Sequence, residues 1–177
     1  MLRRIRGTVS RGAARESGQA TVEFALILPV LLFLLLALLD FGKAFNYWID
    51  ETHLATSAAR WAVVNKLPQA CVGACGTQTI ECQMKQQSDT AELRNGGGSI
   101  NSPGLTVTFC LPSGTGNVGD PIRARVSSTY HWLNFLTGPF GIAGFADKTI
   151  AVNATMRLEQ KYDAASGNMK YTAAASC

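Results

Sequence analysis

Charged residues are scarce in this chain of 177 residues. They make up 16% of it, compared with about a quarter in a typical soluble domain. The net charge of +4 lies entirely in residues 1–18, which hold five of the 16 basic residues and one of the 12 acidic residues. The remaining 11 basic and 11 acidic residues balance each other. Nucleic-acid binding through a basic surface therefore loses its main support.

Groups that usually carry catalysis are also few. The only two histidines are His53, beside two acidic residues, and His131, between two aromatic residues. The sequence has no ordered Ser/His/Asp set, phosphate-binding loop or G-x-S-x-G element. Asn95-Gly96-Gly97-Gly98 lacks the lysine and hydroxyl residue of a phosphate-binding loop and is interpreted as a plain linker. We therefore predict no enzymatic activity, no cofactor and no small-molecule substrate.

One long apolar run contrasts with these absences. Residues 24–39 carry no charge and, together with residues 20–22, approach the ~20 residues that cross a bilayer as a helix. Five arginines precede the run, which predicts a cytoplasmic N-terminus and an exported remainder. A cleaved secretory signal is the alternative, but residues 42–44 form a poor cleavage site and the run is long for such a signal. Asp40 and Lys43 are expected at the outer face of the bilayer.

A short motif leads into the apolar run. Gly18-Gln19-Ala20-Thr21-Val22-Glu23-Phe24 places a glutamate at the fifth position after a glycine. At the cytoplasmic edge of the membrane Glu23 would simply reach the headgroups, whereas deeper in lipid its carboxylate would be costly and would indicate a function. This motif, with Leu28-Pro29-Val30 and Ala58-Ala59-Arg60, resembles the TadE-like pseudopilins of tight-adherence (Tad/Flp) pilus systems. The resemblance covers only the N-terminal part of the chain.

The resemblance implies a role for each motif residue. A prepilin peptidase would cut between Gly18 and Gln19, which removes the arginines and makes Glu23 the fifth residue of the product. The carboxylate of Glu23 would face the new amino terminus of a neighbouring subunit and set subunit register, because an unpaired charge in lipid is costly. Phe24 and Pro29 would take part in helix packing. The protein would be a minor pseudopilin of the bacterial inner membrane that assists pilus assembly with other pilins and the Tad secretion machinery.

The helical pattern continues beyond the membrane run. Residues 40–65 lack proline, and an apolar face at helical spacing is predicted from Phe41, Phe45, Trp48, Ala55, Ala59 and Ala62. Asp50 and Glu51 are expected on the wet side. We predict one helix from Gln19 to a point before Pro68. Its small residues allow close packing either on the protein's own sheet or on a neighbouring subunit.

The rest of the chain predicts an α+β fold of the pilin type, in which a small antiparallel sheet covers one side of the long helix. Residues 68–104 are interpreted as loop, with a short helix near residues 89–94. Alternating strands are predicted at residues 105–111, at 122–126 continuing toward 130, and at 149–159. Residues 132–142 form an apolar connector that either closes the core or contacts a partner or the outer leaflet. The predicted organisation is a leader (1–18), a transmembrane helix (19–40), a helical extension (41–66) and a periplasmic domain (67–177).

Five cysteines follow the apolar run. Disulfides are the expected state on the exported side of a membrane, and the candidates are Cys71, Cys75, Cys82 and Cys110. These four allow three pairings, among which the sequence does not choose, and Cys177 is left over. Their spacing lacks the paired C-x2-C elements of a zinc site, so no metal is predicted.

Two other functions remain open from the residues alone. The chain is alternatively an uncleaved single-pass anchor that presents a periplasmic binding domain. A third reading is an envelope enzyme with an unrecognised site, for which His131 or a cysteine pair would matter and Glu23 would not.

Overall fold

The computed structural model describes residues 13–64, 79–113, 115–134 and 147–162. It confirms the predicted α+β class, with a long N-terminal helix followed by a small antiparallel sheet. The elements are α1 (Ala13–Val63), α2 (Ile80–Gln87), α3 (Ala91–Asn95), β1 (Thr106–Cys110), β2 (Pro121–Tyr130) and β3 (Lys148–Arg157). The chain divides into two units, Met1–Leu39 and Asp40–Cys177, which we describe separately.

The first unit contains the apolar part of α1. This helix is 51 residues long and continues through Pro29. Among the described residues it alone is long and apolar enough to cross a membrane, and none of its most apolar window is buried. The apolar window of α1 is therefore not packed in a core formed by the described residues. The helix starts at Ala13 rather than at the predicted Gln19, so residues 13–18 of the predicted leader are helical.

The second unit is built around a three-stranded antiparallel sheet of order β1-β2-β3. Val107 pairs with Val126, which pairs in turn with Val152, and this fixes which side chains share a face. Alternate residues of β2 are buried, as expected for a sheet with one covered face. The last part of α1 packs in the same core as the sheet, together with residues of α2 and α3.

Two short helices precede the sheet, and one of them was not predicted. α2 lies within residues 68–104, which were interpreted as loop, whereas α3 lies close to the predicted short helix. Thr79 and Thr90 cap the two helices by accepting hydrogen bonds from the backbone N–H of Cys82 and Leu93. α2 is rich in glutamine and contributes only Ile80, Cys82 and Met84 to the interior. So few apolar positions give a weak periodic signal.

The glycine tract is a structured turn, so its interpretation as a plain linker was wrong. The backbone of Gly97 bonds to that of Ile100 in both directions. Gly98 has a φ of +60°, a conformation that favours glycine. A Cβ atom at Gly98 would lie 2.6 Å from the carboxyl group of Glu92. The absence of a side chain at this position therefore leaves room for Glu92.

The predicted apolar face of the helical extension was partly wrong. Phe41, Phe45 and Trp48 are exposed, whereas Tyr47 and Glu51 are buried. Asp50 is buried as well, although it was expected on the wet side. The reason is that the α+β unit supplies hydrogen-bond partners for polar side chains on the packed face of α1. Polar residues can therefore be buried on this face although apolar residues nearby are exposed.

Candidate functional site

The predicted processing motif lies on an exposed stretch of α1. Gly18, Gln19, Glu23 and Phe24 are all exposed. The side-chain amide of Gln19 donates a hydrogen bond to Oε1 of Glu23 at 3.0 Å, one helical turn away. A Cβ atom at Gly18 would meet nothing within 4 Å. Folding of this chain therefore makes no steric demand for a glycine at position 18.

The side chains that follow Glu23 are exposed along the apolar run except at Leu36 and Ala37, which are half-buried. Large hydrophobic residues from Val22 to Leu39 are exposed, among them Phe24, Leu31 and Leu38. Pro29 lies within this run and removes one backbone donor from the helix. Such a surface is unfavourable in water and is stabilised when lipid or other apolar helices cover it.

At the start of the second unit, Asp40 is buried rather than exposed at the bilayer face as predicted. The hydroxyl group of Tyr130 donates to Oδ1 of Asp40 at 2.7 Å, and the backbone N–H of Leu133 donates to Oδ2 at 2.8 Å. Leu133 has a φ of +52°, which is rare for a residue with a side chain. Burial raises the pKa of Tyr130 most, and the hydrogen bond to the Asp40 carboxylate and its negative charge raise it further. The end of β2 is thus fixed to α1 through Asp40.

One turn further along α1, a second polar cluster forms around Glu92 of α3. Its carboxylate accepts hydrogen bonds from Lys43 Nζ at 3.0 Å, from the Tyr47 hydroxyl at 2.7 Å and from the Ser99 backbone N–H at 3.0 Å. Burial raises the pKa of Glu92, but these three hydrogen bonds outweigh it and the pKa is lowered overall. Burial and the contact with Glu92 raise the pKa of Tyr47 strongly. Lys43 and Glu92 thus neutralise each other within the unit.

Two further acidic side chains of α1, Asp50 and Glu51, are buried within the second unit. Asp50 Oδ2 accepts a hydrogen bond from the backbone N–H of Asp89 at 3.0 Å, and burial raises the pKa of Asp50. Glu51 is fully buried and accepts a hydrogen bond from Ser128 Oγ at 2.5 Å. Burial raises the pKa of Glu51 to about 8, against the opposing effect of the Ser128 hydrogen bond. Glu51 is therefore an uncharged acid at neutral pH.

The small residues of α1 pack inside the protein. Ala55, Ala59 and Ala62 have no exposed surface and belong to the core that includes the sheet. The sequence left open whether the small residues pack on the protein's own sheet or on a neighbouring subunit. At these three positions the structure shows packing within the chain. Phe24 and Pro29, by contrast, remain exposed on α1.

His131 does not form a nucleophile-activating pair. Its Nδ1 contacts a carboxylate oxygen of Asp147, and its Nε2 contacts the side-chain oxygen of Asn101. The contacts of both ring nitrogens are thus with side chains that carry neither a hydroxyl nor a thiol group. Within the described ranges, no three or more His, Cys, Asp and Glu side chains come together as a possible metal site.

Two of the cysteines lie in the described residues. Cys110, at the end of β1, is disulfide-bonded. Cys82, on α2, is buried. Cys71, Cys75 and Cys177 lie outside the described residues. The pairing of the cysteines therefore remains a prediction.

One exposed apolar helix joined to a small α+β unit suggests a single-pass membrane protein. A family model described as TadE-like protein matches residues 18–60, which confirms the resemblance found in the sequence. Residues 18–60 are thus similar to the TadE-like family, which suggests a Tad pilus-related protein. No curated protein and no solved structure matches the chain.

Sequence reasoning missed the polar contacts between α1 and the rest of the second unit. Their signal was present, because Asp40, Lys43, Tyr47 and the adjacent Asp50 and Glu51 follow one another at steps of three or four residues. That spacing places them along one side of a helix. An acidic residue on a predicted surface helix is normally solvated, so the spacing alone did not indicate burial.

Proposed function

We propose that this protein is a minor pseudopilin that assists assembly of a Tad/Flp-type pilus after a prepilin peptidase cuts it between Gly18 and Gln19. The observation that carries the proposal is the exposed motif from Gly18 to Glu23, placed directly before an exposed apolar helix. The match of residues 18–60 to the TadE-like family supports the same function.

Glu23 supports an intermolecular role because its described contact is with a residue beside the proposed cut. Its carboxylate is exposed and contacts the side chain of Gln19. Cleavage would turn Gln19 into the amino terminus and place a positive amine near the membrane face. A carboxylate one turn away, on this subunit or a neighbour, would be stabilised by that amine. Such a pair fixes the axial position of one apolar helix against another.

The exposed apolar run supports lateral assembly. Its side chains have no cover within the first unit. In a bilayer, lipid covers them, and in a bundle of similar helices they pack on one another. The same surface thus suits both the membrane-inserted and the assembled state.

The first experiment is to determine the mature N-terminus by mass spectrometry in cells with and without the cognate prepilin peptidase. A product that begins at Gln19 only when the peptidase is present supports the proposal. Gly18→Val should block the cut, whereas Gly42→Val serves as the matched control on the same helix. A Cβ atom at either glycine meets nothing within 4 Å, so neither substitution should prevent folding.

Assembly is tested separately with Glu23→Gln, which keeps the shape of the side chain and removes its charge. We expect normal cleavage but loss of pilus assembly, measured as the amount of sheared surface pilin. Glu159→Gln, an exposed position in the second unit, is the control for the same chemical change. Normal pilus levels with Glu23→Gln would contradict the proposed role of this carboxylate.

The uncleaved anchor is a second candidate because of one specific observation. α1 begins at Ala13, so the bond between Gly18 and Gln19 lies inside a helix. A protease needs an extended backbone at its cut site, and the helix would first have to open. An intact leader in the peptidase-containing strain would favour a static anchor that presents the α+β unit.

A further inference from the structure

An exposed stripe of large apolar side chains runs along α1 within the second unit. Its members are Phe41, Phe45, Trp48 and Ile49, which are 60%, 51%, 47% and 40% exposed. At 100° per residue, Phe41 and Trp48 lie about 20° apart around the helix axis, with Phe45 and Ile49 beside them. We call these four residues the aromatic stripe. Its exposure contrasts with the opposite side of α1, where Tyr47 and Leu54 are buried.

The two charged residues of α1 next to the aromatic stripe have partners within the unit. Asp40 is buried and accepts hydrogen bonds from Tyr130 and Leu133. Lys43 is exposed but pairs with Glu92 at 3.0 Å, and at 100° per residue it lies on the side of the helix away from Phe41 and Trp48. A helix face that carries aromatic groups and no charged residue is suited to the boundary between acyl chains and headgroups.

The stripe also has a sharp end. Beyond Ile49 the same side of α1 carries Thr52 and Thr56, whose hydroxyl groups donate to the helix carbonyls of Trp48 and Thr52 at 2.8 and 3.0 Å. These residues are followed by the exposed Arg60. The helix surface thus changes from apolar to polar within one turn. A change over so short a distance is expected at a bilayer surface.

The position of the stripe along the chain agrees with this boundary. A span that begins at Phe24 needs ~20 residues and ends near Lys43. Ile49 lies about 9 Å further along a helix that rises 1.5 Å per residue. The stripe extends about 12 Å along this axis, from Phe41 beside the acyl chains to Ile49 at the outer edge of the polar region, which is about 5–8 Å thick.

Trp132 adds a contact that holds the stripe on the folded unit. Its ring stacks on Phe41 with centroids 6.4 Å apart, and it meets the ring of Tyr130 edge-on at 5.0 Å. The end of β2 thus braces the first residue of the stripe. Side chains held in this way enter the headgroup region with part of their conformational freedom already lost.

We propose that the aromatic stripe is a phospholipid-binding surface that seats the α+β unit in the headgroup region of the bilayer. The occupant is lipid because the stripe continues an exposed apolar run along the same helix and ends where polar residues begin. The proposal rests on membrane anchoring by α1, which is part of the proposed function. It does not depend on cleavage at Gly18 or on pilus assembly.

The test uses tryptophan quenching of the full chain in phosphatidylcholine/phosphatidylglycerol vesicles that contain lipids brominated near the headgroup or, for a tryptophan at position 33, near the ends of the acyl chains. One variant keeps only Trp48, through Trp61→Phe and Trp132→Phe. A second keeps only Trp61, which packs on the core and is the internal control. A third lacks all three tryptophans and carries Phe33→Trp within the membrane run. Circular dichroism verifies that the three variants fold alike.

We expect bromolipid to remove more than half of the Trp48 emission and to leave Trp61 nearly unchanged, with Trp48 emission shifted to shorter wavelength. If bromolipid quenches the tryptophan at position 33 but not Trp48, and aqueous acrylamide quenches Trp48, the stripe faces water. That result would overturn the proposed lipid-binding surface but leave membrane anchoring by α1 intact. Protection of Trp48 from both quenchers would assign the stripe to a second protein copy and also overturn the proposal. No quenching at position 33 would refute membrane anchoring itself, and the proposed function with it.

Discussion

Protonation of Glu51 should make the stability of the folded unit depend on pH. This side chain is fully buried, its Oε1 accepts a hydrogen bond from Ser128, and its Oε2 has no hydrogen-bond partner among the described residues. Burial is the main reason that its pKa rises from 4.5 to about 8, with a smaller contribution from Asp50. At neutral pH the folded unit holds this proton, whereas the unfolded chain has released it.

The direction and size of the effect follow from that difference. Because the pKa is raised on folding, the folded state binds more protons than the unfolded state between pH 4.5 and about 8. Stability is therefore highest below this window and falls as the pH rises through it. Each pH unit changes the free energy of unfolding by at most about 1.4 kcal/mol. From pH 5.5 to 7.5 the loss is about 3 kcal/mol at most. For a unit the size of Asp40–Cys177, this lowers Tm by roughly 10–15 °C.

Glu51→Gln removes the titrating group and keeps the shape of the side chain. We expect its Tm to change much less between pH 5.5 and 7.5 than that of the wild type, measured by tryptophan fluorescence of the full chain in detergent micelles. Glu159→Gln makes the same change at an exposed site and should keep the wild-type pH dependence. The raised pKa of Asp50 acts in the same direction in all three proteins, so the comparison isolates Glu51. If Glu51→Gln and the wild type lose stability equally, the burial argument is refuted.

Three further predictions concern the contacts between α1 and the rest of the second unit. Gly98→Ala should displace the Glu92 carboxylate and lower stability by about 2 kcal/mol, measured by chemical denaturation, because hydrogen bonds are lost and a positive φ is strained. Gly97→Ala is the control, because φ there is +103° but a Cβ atom would meet nothing within 4 Å, so only the backbone strain should lower stability. Equal losses of stability in Gly97→Ala and Gly98→Ala would contradict the role of Glu92. Asp40→Ala leaves the buried N–H of Leu133 unpaired and leaves the Tyr130 hydroxyl only its longer bond, 3.2 Å, to the backbone carbonyl of residue 40. We expect a cost of roughly 2 kcal/mol by the same assay, and no measurable loss would contradict the role of this carboxylate. Ala59→Leu should overpack the core and cost about 1–3 kcal/mol, seen as a lower Tm, whereas an unchanged Tm would mean that the position is not tightly packed.

Several features of this protein followed from sequence pattern because they depend on local or one-dimensional rules. The apolar run is defined by the absence of charge over residues 24–39, and its exposure in the structure agrees with that pattern. The three strands were predicted because their side chains alternate, and a sheet with one covered face imposes a period of two. The TadE-like segment was recognised from contiguous residues that need no folding to be read.

The packed face of α1 was decided only by the tertiary structure. In sequence, Phe41, Phe45 and Trp48 are better core candidates than Asp40, Asp50 and Glu51. The fold reverses this preference because Tyr130, Leu133, Asp89 and Ser128, which are distant in sequence, supply partners for the acidic groups. A buried polar group is stable only where such partners exist, and their positions depend on the whole chain. Composition and periodicity thus determined which elements form, whereas the meeting of distant hydrogen-bonding groups determined which face of the long helix became the inside.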